Sequence, residues 1–88
     1  MAKFYVFHYT EKGRLPKVMP EQVAEIKKAM EDALAKNPAV TYNGTMVDPN
    51  TGIGICDFDA PTAKDVEDVL AAEGAPYDIV VPVEPIKL

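Results

Sequence analysis

The segment Lys3 to Tyr9 constrains the fold of this chain more than any other stretch. Successive side chains of a strand point to opposite faces, so Phe4, Val6 and His8 share one side and Tyr5, Phe7 and Tyr9 the other. Both sides are largely apolar. Such a strand belongs in the middle of a sheet with both surfaces covered, because a half-exposed strand carries a polar residue at every second position.

The segments that follow supply the rest of the sheet and part of its cover. Pro20 suits the first turn of a helix, where its missing N–H costs nothing, and Glu21 suits the helix dipole. Val23, Ile26, Met30, Ala33 and Leu34 form one apolar stripe, and Asn37-Pro38 ends the helix. Val40 to Val47 reads as a strand with Val40, Tyr42 and Met46 on one side. The polar row Thr41, Asn43 and Thr45 on its other side suggests an edge position. The run Asp48-Pro49-Asn50-Thr51-Gly52 is a turn signal, so the next strand, Ile53 to Phe58, pairs antiparallel with the one before.

Thr62 and Asp65 have the spacing of a capping box at the start of a second helix, with Val66, Val69 and Leu70 as its buried stripe. Gly74 and Pro76 stop that helix. The final strand, Tyr77 to Glu84, contains Pro82, which removes a ladder donor and marks an edge.

The order β-α-β-β-α-β closes most simply as an α+β, ferredoxin-like split βαβ sandwich with an antiparallel sheet of order 4-1-3-2. With 88 residues and 48% hydrophobic content, the chain is expected to be one domain spanning residues 1–88. A domain of this size has a marginal core. Two helices cover one sheet face, yet the first strand is greasy on two. The expected cover for the open face is a second copy, a homodimer of the dimeric α+β barrel type.

A net charge of −5 excludes attraction to nucleic-acid phosphate or an anionic membrane surface, which both need a basic patch. Lys12, Arg14 and Lys17 read as a solvated loop. The single cysteine, Cys56, forms no internal disulfide and fits a reducing compartment. No secretory signal and no membrane-spanning run is visible, so the expected location is cytoplasmic.

The only histidine, His8, is the leading candidate for chemistry, since imidazole is both the commonest metal ligand and an acid-base group near neutral pH. Taking strands one and three as running in the same direction, either Asp57 or Cys56 shares a face with His8, depending on register. Asp57 is the slightly favoured partner, because a cysteine after apolar neighbours is more often buried. The candidate metal ligands are therefore His8, Asp57 and Cys56, with further donors expected by symmetry from the second copy. The alternative is a structural histidine bonded to a neighbour. Asp57, Asp59, Asp65, Glu67 and Asp68 form an acidic patch whose plain explanation is helix-terminal stabilisation. No phosphate-binding glycine loop, CxxC pair, HExxH helix or nucleophile elbow is present.

The pieces Val47-Asp48-Pro49 through Gly52, Ile55-Cys56, Ala60-Pro61-Thr62-Ala63, Val66, Val69, Gly74-Ala75-Pro76, Asp78-Ile79 and Val83 together resemble a small ferredoxin-like family of otherwise unknown function that includes a nickel-binding bacterial protein. The resemblance covers mainly residues 47–84, and His8 after alternating apolar residues is similar to members with a histidine there. It implies a homodimer and nickel held by histidines near the interface. The chain differs at Leu70, where such members tend to carry a second histidine.

Three functions follow as expectations. The first is a small dimeric binding protein, leaning away from an enzyme, that takes a transition metal such as nickel or a small molecule near His8. The second is a cofactor-independent enzyme using His8 and Asp57 as acid-base groups in a cleft. The third is an interaction module whose apolar face docks another protein.

Overall fold

The computed structural model describes residues 1–8, 20–48, 50, 53–74 and 76–87. It contains β1 (Ala2–His8), α1 (Pro20–Lys36), β2 (Thr41–Val47), β3 (Gly54–Ala60), α2 (Ala63–Glu73) and β4 (Ile79–Val83). The expected order of elements is therefore observed. The proposed basic loop of Lys12, Arg14 and Lys17, the turn residues Pro49 and Gly52, and the side chain of Val23 lie outside the described residues.

The four strands form one sheet of order β2-β3-β1-β4, antiparallel at every pairing. This is the ferredoxin-like arrangement, with β2 and β4 at the edges as their polar row and Pro82 imply. β1 and β3 run in opposite directions, which corrects the same-direction pairing used to place the neighbours of His8. The reason is topological. The α1 crossover makes β1 and β2 parallel, and the hairpin that follows β2 reverses β3, which then fits between them. That hairpin is closed by the Asp48 N–H donating to the Ile53 carbonyl at 2.9 Å.

Register decides which side of β1 is inside. Phe4, Val6 and His8 are buried beneath the helices, with Cys56, Phe58 and Ala60 of β3 on the same face. Val66, Val69 and Leu70 of α2 close over them, with Met30 and Ala33 of α1. Ile26, although on the α1 stripe, stays half exposed. The opposite sheet face carries Tyr5, Phe7, Ile55, Ile79 and Val81, flanked by a polar end in which Lys3 contacts Asp57 at 2.8 Å and Asp59 at 3.7 Å.

The alternation expected in β2 breaks at a bulge. Asn43 and Gly44 together oppose Asp57, and Gly44 takes a φ of 129°, a backbone state that favours glycine. The extra residue sends Asn43 to the open face, where its amide donates to Asp57 at 3.2 Å and Asp59 at 2.8 Å. It also turns Thr45 to the inner face beside Tyr42 and opposite Cys56. Met46 goes to the outside, opposite Ile55 and 80% exposed. The faces expected for Thr45 and Met46 are thus exchanged.

α2 begins and ends as its sequence implies. The Thr62 and Asp65 side chains each accept from the other's backbone N–H, a complete capping box. Gly74 closes the helix at φ 78°, its N–H donating to the Leu70 carbonyl at 2.9 Å.

Candidate functional site

The core is apolar at one end and polar at the other. Beyond Val6 and Phe58 the inner face carries His8, Cys56, Thr45 and Tyr42 in succession, drawn from the three adjacent strands β1, β3 and β2. His8 is 8% exposed and Cys56 7% exposed. The pairing of Val6 with Cys56 in the antiparallel register brings the two side chains together, leaving His8 Nε2 and Cys56 Sγ 3.3 Å apart.

These groups form an ordered chain of hydrogen bonds. His8 Nδ1 lies 2.7 Å from the carbonyl oxygen of Pro76, which can only accept, so Nδ1 carries the hydrogen. In the neutral ring this leaves the Nε2 lone pair facing the thiol, which donates to it. Thr45 Oγ1 stands 3.1 Å from the same sulfur, and the Tyr42 hydroxyl bonds to Thr45. The Tyr42 ring also packs against Phe58 at 5.3 Å between centroids, which fixes that end of the chain.

Burial pushes the Cys56 thiol pKa up, the Thr45 hydrogen bond pulls it back, and the Glu73 charge raises it further. The pair is therefore a thiol beside an imidazole rather than a thiolate. Tyr42 is raised by burial in the same way, with the Thr45 bond opposing and the fields of Cys56 and Glu73 adding.

Asp57 stands on the other side of the sheet. Its carboxyl is held below the usual value by the Lys3 hydrogen bond and by Asn43, and it faces away from His8. The preference for Asp57 as the partner of His8 is therefore corrected: Cys56 has that place. The cause is register, since β3 alternates and only one of two consecutive residues can face inward. The proposed His8–Asp57 acid-base pair is not formed. A depression of about 280 Å³ beside Tyr5, Met46 and Asp57 is likewise on the open face, away from His8. For the same reason two copies packed by their open faces would not bring two His8 rings together, so symmetry across that face does not complete a ligand set.

The remaining acidic patch has structural partners. Asp65 belongs to the capping box, Asp68 pairs with Lys64 at 3.1 Å, and Asp57 and Asp59 share Lys3 and Asn43. Leu70, where a second histidine is expected by resemblance, is 1% exposed and part of the apolar core.

One polar residue of this region is not apparent from motif or composition. Glu73 lies three residues after Leu70 and four after Val69, so it continues the buried stripe of α2 toward the polar end of the core. Its pKa is raised by burial. The signal that finds it is the stripe itself, in which a carboxylate takes a position suited to an apolar side chain.

The family model for nickel responsive proteins of the SCO4226-like type matches residues 5–83, nearly the whole of this sandwich. The chain belongs to the SCO4226-like family. The crystal structure of SCO4226 from Streptomyces coelicolor A3(2) is similar over 99% of this chain and 100% of that one, with a TM-score of 0.72 and 23% identity. At that identity the likeness to SCO4226 establishes the shared fold. No curated protein matches the chain. Among the described residues of this SCO4226-like chain, no three His, Cys, Asp or Glu side chains surround one point as a ready-made metal cage. No helix among them is long and apolar enough to cross a membrane.

The donors present nonetheless fit a transition-metal ion. A cation about 2.3 Å from sulfur and about 2.05 Å from nitrogen separates those donors by roughly 3.1 Å at a right angle and roughly 3.5 Å at the tetrahedral angle. The observed separation of 3.3 Å falls between the two. The ring orientation is already fixed by the Pro76 carbonyl, the arrangement by which ligating imidazoles are commonly held.

Proposed function

We propose that this chain is a small dimeric cytoplasmic binding protein that takes a transition-metal ion, nickel foremost, at the His8–Cys56 pair. The observation that carries the proposal is the Nε2–Sγ separation of 3.3 Å with Nδ1 already committed to a carbonyl. Imidazole and thiolate are donors for nickel, zinc and copper, and the family's name favours nickel among them. Binding exchanges the thiol proton for the metal, so one proton leaves for each ion bound.

The dimer is supported by the open face. Tyr5, Phe7, Ile55, Met46, Ile79 and Val81 form a continuous apolar surface on a domain whose own core is small. A second copy packed there would cover it on both subunits. The reducing cytoplasm is supported by a solitary cysteine held as a buried thiol.

Isothermal titration of nickel, zinc and copper into the wild type, His8→Ala and Cys56→Ser proteins tests the metal site. The expected result is stoichiometric binding to the wild type and loss in both variants. Binding that survives both substitutions, or no binding at all, removes the proposal.

A further inference from the structure

Within the polar end of the core, Glu73 Oε2 is buried and has no hydrogen-bond partner. Buried acceptors are normally paired, and a carboxylate oxygen left alone needs an explanation in the ligand it awaits or in the strain it stores. Its position narrows the choice. Glu73 closes the inward stripe of α2, and its charge is felt at both Cys56 and Tyr42. Pro76, whose carbonyl orients His8, follows three residues later on the same stretch of chain.

We propose that Glu73 is the third donor of the site, its carboxylate closing on a divalent cation held between the His8 imidazole and the Cys56 sulfur. This rests on the metal function proposed above and adds a residue to it. With His8 neutral and Cys56 deprotonated, the Glu73 carboxylate brings the donor charge to −2 and balances a divalent ion inside a low-dielectric core. Two protein donors seldom hold such an ion, and a third brings the set to the number typical of sites that keep a position open for water or ligand. The three side chains do not yet converge on one point, so Glu73 turns about its own side-chain bonds as the metal enters. The free oxygen has no hydrogen bond to give up in doing so.

The test uses nickel and cobalt as probes, with calorimetry for affinity and the sulfur-to-metal charge-transfer absorption for Cys56 ligation. Glu73→Gln keeps the shape and removes the charge. It should weaken binding by about 100-fold, the upper end of what perturbing a ligand shell costs, while the sulfur band persists at saturation. Glu73→Asp, which restores the charge on a shorter arm, should recover part of that loss. Melting curves without metal should show both variants folded, so that weakened binding is not mistaken for unfolding. Wild-type affinity in Glu73→Gln, alongside loss in His8→Ala, overturns the role of Glu73 and leaves the His8–Cys56 site standing. Absence of binding or of the sulfur band in the wild type overturns both.

Discussion

Replacing Glu73 by leucine should stabilise the metal-free protein. The buried oxygen without a partner costs about 1–3 kcal/mol, the usual penalty for an unsatisfied polar group. The carboxylate also sits at the negative end of the α2 dipole, which adds to the penalty. Leucine removes both costs and extends the Val66, Val69, Leu70 stripe, so a net gain of about 2 kcal/mol is expected after allowing for the partial exposure of the position. In a domain of this size that corresponds to a rise in melting temperature of about 8–16 °C.

The gain should depend on pH, and its direction is fixed by the raised pKa of Glu73. The wild type is unpenalised below the unfolded-state carboxyl value, where Glu73 is protonated in both states. It loses stability as pH rises through the higher folded-state value. The advantage of leucine should therefore be small in acid and full near neutrality. Thermal melts from pH 3 to 8 at one fixed protein concentration would read this directly, the fixed concentration being needed because self-association makes melting temperature concentration-dependent. An unchanged or lowered melting temperature at pH 7, or a gain that ignores pH, would refute the energetic account of Glu73.

Further expectations concern the frame, the assembly and the metal. Gly44→Ala should cost about 1–3 kcal/mol purely through the backbone, since a φ of 129° disfavours any side chain although nothing lies within 4 Å of the added carbon. Gly74→Ala, at φ 78°, should cost about 1 kcal/mol, and denaturant titrations reversing that ranking would contradict the bulge geometry. Thr62→Ala should lose about 0.5–2 kcal/mol by the same assay, and no change would mean that the capping box contributes nothing. Ile79→Lys should convert the dimer to a monomer in light scattering, because Ile79 lies on the open face and is 54% exposed; a wild type that is already monomeric when dilute argues instead for a different partner on that face. Nickel affinity should rise with pH toward the raised thiol value of Cys56, with proton release seen as a buffer-dependent binding enthalpy. Affinity that is flat from pH 6 to 9 would exclude thiolate ligation.

The parts of the fold that depend on local signals are legible in the chain. Pro82 and the row beginning at Thr41 mark the edge strands, Thr62 with Asp65 starts α2, and Gly74 ends it, each through a preference that acts over a few residues. What depends on pairing is not. β1 is nearly as apolar on its Tyr5–Phe7 side as on its Phe4–Val6 side, so its pattern is symmetric and only the register with β3 tells which side the helices cover. His8 was therefore readable as a candidate while its partner was not, and Cys56 in place of Asp57 is a difference of one residue along β3. The bulge at Asn43–Gly44 escapes strict alternation because an extra residue is visible only against the strand beside it. Glu73 is missed for another reason: charged residues on a helix are expected outside, and its inward position emerges from the phase of α2.

That extra residue in β2 serves two surfaces at once. Without it Thr45 would point outward and Cys56 would lose a neighbour, while Met46 would leave the broad greasy side for the interior. A deletion at Gly44 would therefore be felt simultaneously by the thiol and by self-association. In this architecture, one increment of chain length ties what the molecule can hold to what it can stick to.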